Sequence, residues 1–324
     1  MNNIDILKEF DSKKNQYLSL CAISVQLVRD LIRANNIVVH SLSQRTKERK
    51  NLEEKLIRKG HKYKTLSDIT DISGIRIVSY FAEDVDKIAD LINKEFQVDK
   101  KNTIDKRNLD DDRFGYMSMH YVVEISKERL KLSEYKTFKN MKFEIQIRSI
   151  LQHGWAEIEH DLGYKGAKGI PAEFKRDFNR IAALLETADK EFNRLRNELL
   201  SYDDKIEKSY SKKVKPKSLA VNNSTLRQFL EQNKELNEIN KAIAKYYSVH
   251  LNNNPVEPDL GDLSENLKRN DIDTINKLSD LITENKDDIV KNLSNLKGLD
   301  NDRGEVTGVN YMVGVYTLID FLKE

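Results

Sequence analysis

The sequence contains a single cysteine, Cys21, among 324 residues. One cysteine excludes an internal disulfide and a zinc cluster built from cysteine ligands. No apolar run approaches the roughly 18 residues of a membrane helix, and the opening residues lack a basic stretch followed by an apolar one. We therefore predict a cytoplasmic protein with no membrane partner.

Neither sign of charge is in marked excess, because 55 Lys and Arg residues face 53 Asp and Glu residues and the formal net charge is +2. Any function that depends on charge must therefore come from local clusters. Hydrophobic residues make up 39% of the chain, which is enough for a real core, and the length allows one large domain or two smaller ones.

Apolar periodicity predicts helices and strands that alternate in the first part of the chain, as in an α/β layer. Helices are predicted over residues 3–34, 83–96, 149–165 and 172–200, and strands over 72–80, 116–125 and 142–150. After residue 218 the pattern is helical, over 224–247, 260–268, 271–284 and 286–296, with a final apolar segment over 309–322.

Two acids stand beside alternating apolar runs that are typical of strands. They open the segments Asp71-Ile-Ser-Gly-Ile-Arg76 and Glu144-Ile-Gln-Ile-Arg148. Because burial of an unpaired charge is costly, each acid must be paired or must bind a cation. If the two strands are adjacent, the acids can share a divalent cation. The alternative is that one of them forms a salt bridge with Arg76 or Arg148.

The segment from Arg113 to His120 supplies a cation, an aromatic ring and a histidine within eight residues. Tyr116, Ser118 and His120 lie on one side of the predicted strand because strand side chains repeat every two residues. This shared face favours a nucleotide pocket in which Tyr116 stacks on a base. The alternative is that Tyr116 belongs to the core.

Basic residues crowd the segment 45–59, which favours either a phosphate-binding face or the solvated face of a helix. They are Arg45, Lys47, Arg49, Lys50, Lys55, Arg58 and Lys59. Further along, His153, Glu157 and His160 have a helical spacing that superficially resembles a metal site. The zinc-protease order His-Glu-x-x-His is absent, so we expect these to be ordinary polar positions.

Several separated motifs, in the right order, make residues 41–165 resemble the synthetase domain of the RelA/SpoT family, whose enzymes make the alarmones (p)ppGpp. The matching segments are Arg45-Thr-Lys47 with Lys55, Asp71 to Arg76, Gly115-Tyr-Met-Ser-Met-His120, and Glu144 to Arg148. The ending Trp155-Ala-Glu-Ile-Glu-His160, followed by Tyr164-Lys165, is similar to the single-domain members, the small alarmone synthetases. Met117 and Met119 depart from the glutamine and leucine that the family often has.

The resemblance implies an α/β (α+β) fold of the nucleotidyltransferase type, a mixed sheet flanked by helices. It also implies Mg²⁺-dependent transfer of the β,γ-pyrophosphate of ATP to the ribose 3′-hydroxyl of GDP or GTP. By this resemblance Asp71 and Glu144 are catalytic and hold Mg²⁺, and Glu144 helps to deprotonate the hydroxyl. ATP is expected to contact Arg45, Lys47, Lys55 and Arg76, and the acceptor nucleotide Lys106, Arg113, Tyr116, His120, Gln146 and His153.

The expected layout is a synthetase domain over residues 1–200 with its motif core at 41–165, a basic linker over 201–218, and a helical C-terminal domain over 219–324. The resemblance does not cover residues 201–324, so we expect them to regulate the enzyme or to bind a partner. Too few residues precede the motifs for a hydrolase domain, and a synthetase without hydrolysis is therefore expected. Homo-oligomer formation is left open.

Two other functions remain. Toxic relatives use this fold to pyrophosphorylate the 3′ end of tRNA or adenosine nucleotides, and the basic linker and the lysines at 131, 136, 139 and 142 would suit an RNA backbone. A function of a different class is that of a catalytically silent nucleotide sensor whose tail does the work. Intact Asp71, Glu144 and Tyr116 argue against the sensor.

Overall fold

The computed structural model describes residues 3–105, 118–164, 172–211, 219–252, 260–293, 308–310 and 312–323. The chain divides into two compact units, Met1–Arg196 and Asn197–Glu324. The helix that contains the division, α5, belongs partly to each of them.

The first unit alternates helices and strands. Its elements in chain order are α1 (Asn3–Ala34), β1 (Val39–Thr46), α2 (Arg49–Lys59), β2 (Ser73–Ser79), α3 (Ala82–Glu95), β3 (Phe96–Val98), β4 (Ile104–Asp105), β5 (Met119–Ile125), β6 (Phe143–Ser149), α4 (Ile150–Tyr164) and α5 (Lys175–Ser211).

These strands form one mixed sheet in the order β1-β2-β6-β5-β3, and β4 also pairs with β5. The pair β2 and β6 is parallel, whereas β1 with β2, β5 with β6, and β3 and β4 with β5 are antiparallel. The two segments that carry Asp71 and Glu144 are therefore neighbours in the centre of the sheet.

The alternation of side chains along each strand gives the sheet one apolar and one polar face. The apolar face carries Ile75 and Ile77 of β2 and Ile145 and Ile147 of β6, all fully buried in one core with residues of α1, α2 and α3. Gly74, Arg76, Glu144 and Gln146 alternate with these isoleucines and so lie on the other face.

Ser149, the last residue of β6, starts helix α4. Its Oγ accepts a hydrogen bond from Gln152 N at 3.1 Å, and its N–H donates to Gln152 Oε1 at 2.9 Å, a capping box. The same hydroxyl donates to Asp189 of α5 at 2.7 Å, and Asp189 is buried. The start of α4 is thus fixed by hydrogen bonds to Gln152 of the same helix and to Asp189 of α5.

The second unit is mostly helical. Its elements are α6 (Asn223–Gln232), α7 (Lys234–Tyr246), β7 (His250–Asn252), α8 (Leu260–Arg269), α9 (Ile275–Lys291), β8 (Gly308–Asn310) and α10 (Val313–Phe321). The buried Asn240 of α7 accepts a hydrogen bond from Gly314 N at 2.8 Å, which joins α7 to α10. The short strands β7 and β8 pair in parallel.

The fold class expected from the sequence is confirmed: a mixed sheet flanked by helices, followed by a helical region. Most boundaries differ by only a few residues, but the helix expected over 224–247 is interrupted by Asn233, whose side chain caps α7. The two helices expected over 271–296 are one, α9, and the apolar segment 309–322 begins as a strand.

Two charged segments differ from expectation. The basic segment 45–59 is not one helix, because Arg45 lies in β1, which ends at Thr46, and the helix α2 begins at Arg49. The segment 201–218, predicted as a linker, continues α5 up to Ser211, and residues 212–218 lie outside the described part. The regulatory or binding role of residues 219–324 stays a prediction. Among the described residues, no helix is long and apolar enough to cross a membrane.

Candidate active site

The register of the strands β1, β2, β6 and β5 brings the motif residues into two rows on the polar face. In one row, Arg45 of β1 pairs with Gly74 of β2, and Gly74 pairs with Glu144 of β6. In the next row Arg76 pairs with Gln146, which pairs with His120 of β5. Residues separated by up to about a hundred positions in sequence thus become neighbours.

A cavity of about 180 Å³ opens beside these rows, lined by Ser43, Gln44, Arg45, Gly74, Ile75, Arg76 and Gln146. Gly74 lies between the two arginines and adds no side chain. A Cβ atom at Gly74 would lie 3.8 Å from Arg45 Cγ and 3.9 Å from Arg45 Nε. Two arginine side chains therefore line the cavity, and guanidinium groups suit a flat aromatic ligand.

The buried thiol of Cys21 supports this cavity from α1. It donates toward the carbonyl oxygens of Arg45 at 3.5 Å and Gly74 at 3.6 Å. Burial raises the pKa of Cys21, so the neutral thiol is favoured as a hydrogen-bond donor. Cys21 thus contacts the backbone carbonyl oxygens of two residues that line the cavity, Arg45 and Gly74.

Asp71, which precedes β2, is held by two lysines. Lys55 Nζ donates to Oδ1 at 2.7 Å, and Lys47 Nζ lies 3.2 Å from Oδ2. Burial disfavours the ionised carboxylate, but the hydrogen bond from Lys55 and the charge of Lys47 outweigh burial and lower the pKa of Asp71. Asp71 is therefore a carboxylate at neutral pH.

Glu144 is held by a histidine and an amide. Its Oε1 lies 2.7 Å from His120 Nδ1, and its Oε2 accepts from Gln146 Nε2 at 3.0 Å. Burial raises the pKa of Glu144, but the contact with His120 outweighs burial and the net effect lowers it. An ionised carboxylate only accepts hydrogen bonds, so Nδ1 of His120 carries a proton. The negative charge of Asp71 acts in the opposite direction on the pKa of Glu144, so the two acids interact electrostatically.

Gln146 is oriented by its neighbours on β6. Its Oε1 accepts from Arg148 Nη2 at 3.3 Å, while its amide nitrogen donates to Glu144. Three alternate residues of one strand, Glu144, Gln146 and Arg148, thus form a hydrogen-bonded row. Arg148 is buried and supports the amide that faces the cavity.

Helix α4 adds two groups to the site. Glu157 Oε1 lies 2.9 Å from Arg76 Nη1 and 3.6 Å from His153 Nδ1. Burial and the positive charge of Arg76 lower the pKa of His153, against the opposing charge of Glu157. The neutral imidazole is therefore favoured at neutral pH.

Nine of the twelve predicted site residues lie in the described part of the chain. Those on the polar face of the sheet are Arg45, Arg76, His120, Glu144 and Gln146, and those at its margin are Lys47, Lys55, Asp71 and His153. The other three, Lys106, Arg113 and Tyr116, lie outside the described residues.

Sequence reasoning gave no site role to Ser43, Gln44, Arg148 or Glu157. Ser43 lies two positions before Arg45 on β1, a strand that the apolar pattern did not predict. Glu157 was detectable because it lies four positions after His153 on the same helix. The pairing of Glu157 with Arg76 depends on how α4 packs on β2, which no local pattern contains.

The donor set fits Mg²⁺. In the described residues there is no group of three or more His, Cys, Asp or Glu side chains that could hold a metal by themselves. Mg²⁺ is usually bound by one or two carboxylates together with substrate phosphates and water. Asp71 and Glu144 are two ionised carboxylates, and Asp71 contacts two lysines, so the pair matches that mode.

Residues 44–169 match the family model described as the region found in RelA/SpoT proteins. Among characterised relatives, the GTP pyrophosphokinase YjbM of Bacillus subtilis (strain 168) is 29% identical over 164 residues, which cover 50% of this chain and 74% of that protein. The GTP pyrophosphokinase YwaC of the same strain is 27% identical over 176 residues, covering 52% and 79%.

Solved structures were also found to be similar. Small alarmone synthetase 1 from Bacillus subtilis gives a TM-score of 0.49 at 24% identity, covering 60% of this chain and 98% of that chain. Its complex with its product pppGpp gives 0.48 at 25%, covering 59% and 98%. A GTP pyrophosphokinase family protein from Streptococcus pneumoniae gives 0.46 at 27%, covering 60% and 94%.

Proposed function

Residues 44–169 belong to the RelA/SpoT family, and on this basis we propose that the chain is a pyrophosphokinase of the small alarmone synthetase type. It transfers the β,γ-pyrophosphate of ATP to the ribose 3′-hydroxyl of GDP or GTP. The two characterised relatives are named GTP pyrophosphokinases. The observation that supports the proposal is the register in which Gly74 and Arg76 pair with Glu144 and Gln146, beside a cavity lined by Arg45 and Arg76.

The cavity between Arg45 and Arg76 receives the adenine of ATP. Guanidinium groups stack on aromatic faces, and both Arg45 and Arg76 line this cavity. Lys47 and Lys55 lie beside Asp71 and bind the phosphates. Mg²⁺, held by Asp71 and Glu144, supplies neutralisation of the negative charge that develops during the transfer.

In the transfer the acceptor 3′-oxygen bonds to the β-phosphorus of ATP while the bond between that phosphorus and the oxygen of the α-phosphate breaks. AMP leaves. Glu144 accepts the proton of the hydroxyl, and its oxygens are aligned by His120 and Gln146. Positioning and charge neutralisation account for most of the catalysis in reactions of this kind.

His120, Gln146 and His153 line the acceptor side. The predicted acceptor contacts of Lys106, Arg113 and Tyr116, in which Tyr116 stacks on guanine, rest on the family resemblance alone. The choice between GDP and GTP, the cytoplasmic location and self-association also stay predictions.

The test is a transfer assay with ATP labelled on its γ-phosphate. The purified full chain receives GDP, GTP, ATP or deacylated tRNA, with Mg²⁺ or with a chelator. We expect label in a guanosine nucleotide only when Mg²⁺ is present. Label only in tRNA or in an adenosine nucleotide would contradict the proposed acceptor. Nucleotide binding without transfer to any acceptor would instead indicate the sensor function.

A further inference from the structure

Every carboxylate oxygen of Asp71 and Glu144 is engaged by a group of this chain. The two oxygens of Asp71 each face one lysine, Lys55 and Lys47. Those of Glu144 face His120 Nδ1 and Gln146 Nε2. A cation that binds these oxygens therefore competes with contacts that already exist.

The two lysines are held firmly at Asp71. The backbone N–H of Lys47 donates to Ile72 O at 2.7 Å, which fixes the lysine next to the strand that follows Asp71. The ammonium of Lys55 also lies 5.3 Å from the centre of the Tyr63 ring. Their side chains are only 15% and 18% exposed, so water competes weakly for them.

Charge balance makes the entry of a lone cation unfavourable. The two positive charges of Lys47 and Lys55 equal in number the two negative charges of Asp71 and Glu144, so a lone divalent cation would leave an excess of positive charge in a partly buried site. A triphosphate that enters without a cation would be repelled by the negative charges of the two carboxylates. When cation and triphosphate enter together, the cation neutralises the carboxylates and the lysines transfer to the phosphates.

We propose that Lys47 and Lys55 keep Asp71 closed to a divalent cation in the nucleotide-free protein and release it only when phosphates take their place. The lysines thereby gain a second role besides phosphate binding, and cation and ATP bind as one unit. This inference rests on the proposed function for the identity of the nucleotide but not for the closure of the site.

The test measures binding of Mn²⁺ alone, without nucleotide, by the loss of the free-ion signal in electron paramagnetic resonance. Lys47→Met and Lys55→Met are compared with wild type and with Lys50→Met, an exposed lysine on the same helix as Lys55. Each of the first two variants should bind Mn²⁺ at least about fivefold more tightly than wild type, since a competing cation has been removed from a partly buried carboxylate. Lys50→Met should match wild type.

Equal Mn²⁺ affinity in wild type, Lys47→Met and Lys55→Met would overturn the inference. Tighter Mn²⁺ binding by the wild type than by both variants would also overturn it. Circular dichroism and thermal melting check that each variant is folded, and either lysine variant suffices if the other fails. The result is separable from the proposed function. If the variants bind Mn²⁺ more tightly but the wild type transfers no pyrophosphate, the closure is upheld and the proposed function is rejected. If the wild type transfers pyrophosphate but the variants bind Mn²⁺ no more tightly, the function is upheld and the closure is rejected.

Discussion

Arg76 of β2 and Glu157 of α4 form an ion pair, with 2.9 Å between Nη1 and Oε1. The same carboxylate oxygen lies 3.6 Å from His153 Nδ1. Glu157 therefore connects a wall of the proposed adenine cavity to a residue of the proposed acceptor side. It acts through Arg76, so it is a positioning residue.

Glu157→Gln should raise the KM for ATP about two- to fivefold and change kcat little, because an exposed ion pair contributes up to about 1 kcal/mol. The amide retains an oxygen that can accept from Arg76. Initial rates at varied ATP measure the effect. Glu53→Gln is the control, since it removes another exposed glutamate ion-paired with an arginine, Arg49, on α2. A similar rise in the control would contradict a specific role for Glu157.

Glu144→Gln should reduce kcat by about 10²- to 10⁴-fold, the usual contribution of a positioned acid or base. The side chain keeps its size, so the thermal midpoint should change little. Single-turnover rates with labelled ATP measure the loss. Glu124→Gln on the neighbouring strand β5 is the matched control and should leave the rate unchanged. A Glu144→Gln enzyme with near-normal turnover would exclude Glu144 as a catalytic residue.

Burial raises the pKa of Asp189 above its ordinary value of 3.8, and the hydrogen bond from Ser149 Oγ opposes this only in part. The folded state thus binds a proton more readily than the unfolded state. The resulting gain in the free energy of unfolding appears as the pH falls through the folded-state pKa and is complete below 3.8. At neutral pH the buried, ionised carboxylate of Asp189 lowers the free energy of unfolding.

Asp189→Asn should therefore be as stable as wild type or more stable at neutral pH, since the amide oxygen still accepts from Ser149. Its advantage should shrink as the pH is lowered. Thermal midpoints of both proteins over a pH series give this difference, and subtraction cancels the groups they share. A difference that does not vary with pH would show that Asp189 has the same pKa in both states.

Two helical glycines should respond to alanine in opposite directions. In α10, a Cβ at Gly314 would lie 2.7 Å from Asn240 Oδ1 and 2.8 Å from Leu236 Cδ1, so Gly314→Ala should lower the free energy of unfolding by about 1–3 kcal/mol. In α4, no described atom lies within 4 Å of a Cβ at Gly154 outside its own helix. Gly154→Ala should therefore stabilise by about 0.5–1 kcal/mol.

Scanning calorimetry of the two alanine variants tests this contrast. Because the two glycines lie in different units, the unfolding transition that shifts in each variant identifies the unit that unfolds in that transition. Destabilisation by Gly154→Ala, or none by Gly314→Ala, would contradict the packing of the corresponding helix.

The alternation of apolar residues was enough to predict β2, β6 and the helices α1, α3 and α4 to within a few residues. The strand β1 was missed because its sequence, Val39–Thr46, is mostly polar and shows no regular apolar alternation. The strands β3 and β4 are two or three residues long, too short to show a period.

The partners of the two acids could not be predicted from local pattern. The sequence suggested salt bridges to Arg76 or Arg148 as the alternative to metal binding, whereas Asp71 contacts Lys55 and Lys47, and Glu144 contacts His120. These contacts depend on the position of Lys47 and of Lys55 in α2 relative to the residue that precedes β2, and on the register of β5 against β6. Neither is encoded within one segment.

Because β6 has one apolar and one polar face, it also limits where insertions and deletions can occur in this protein. Loss of a single residue within the strand would rotate Glu144 or Gln146 toward Ile75 and Ile77, and would expose an isoleucine at the cavity. Insertions and deletions in this part of the chain should therefore be confined to the loops that join the strands.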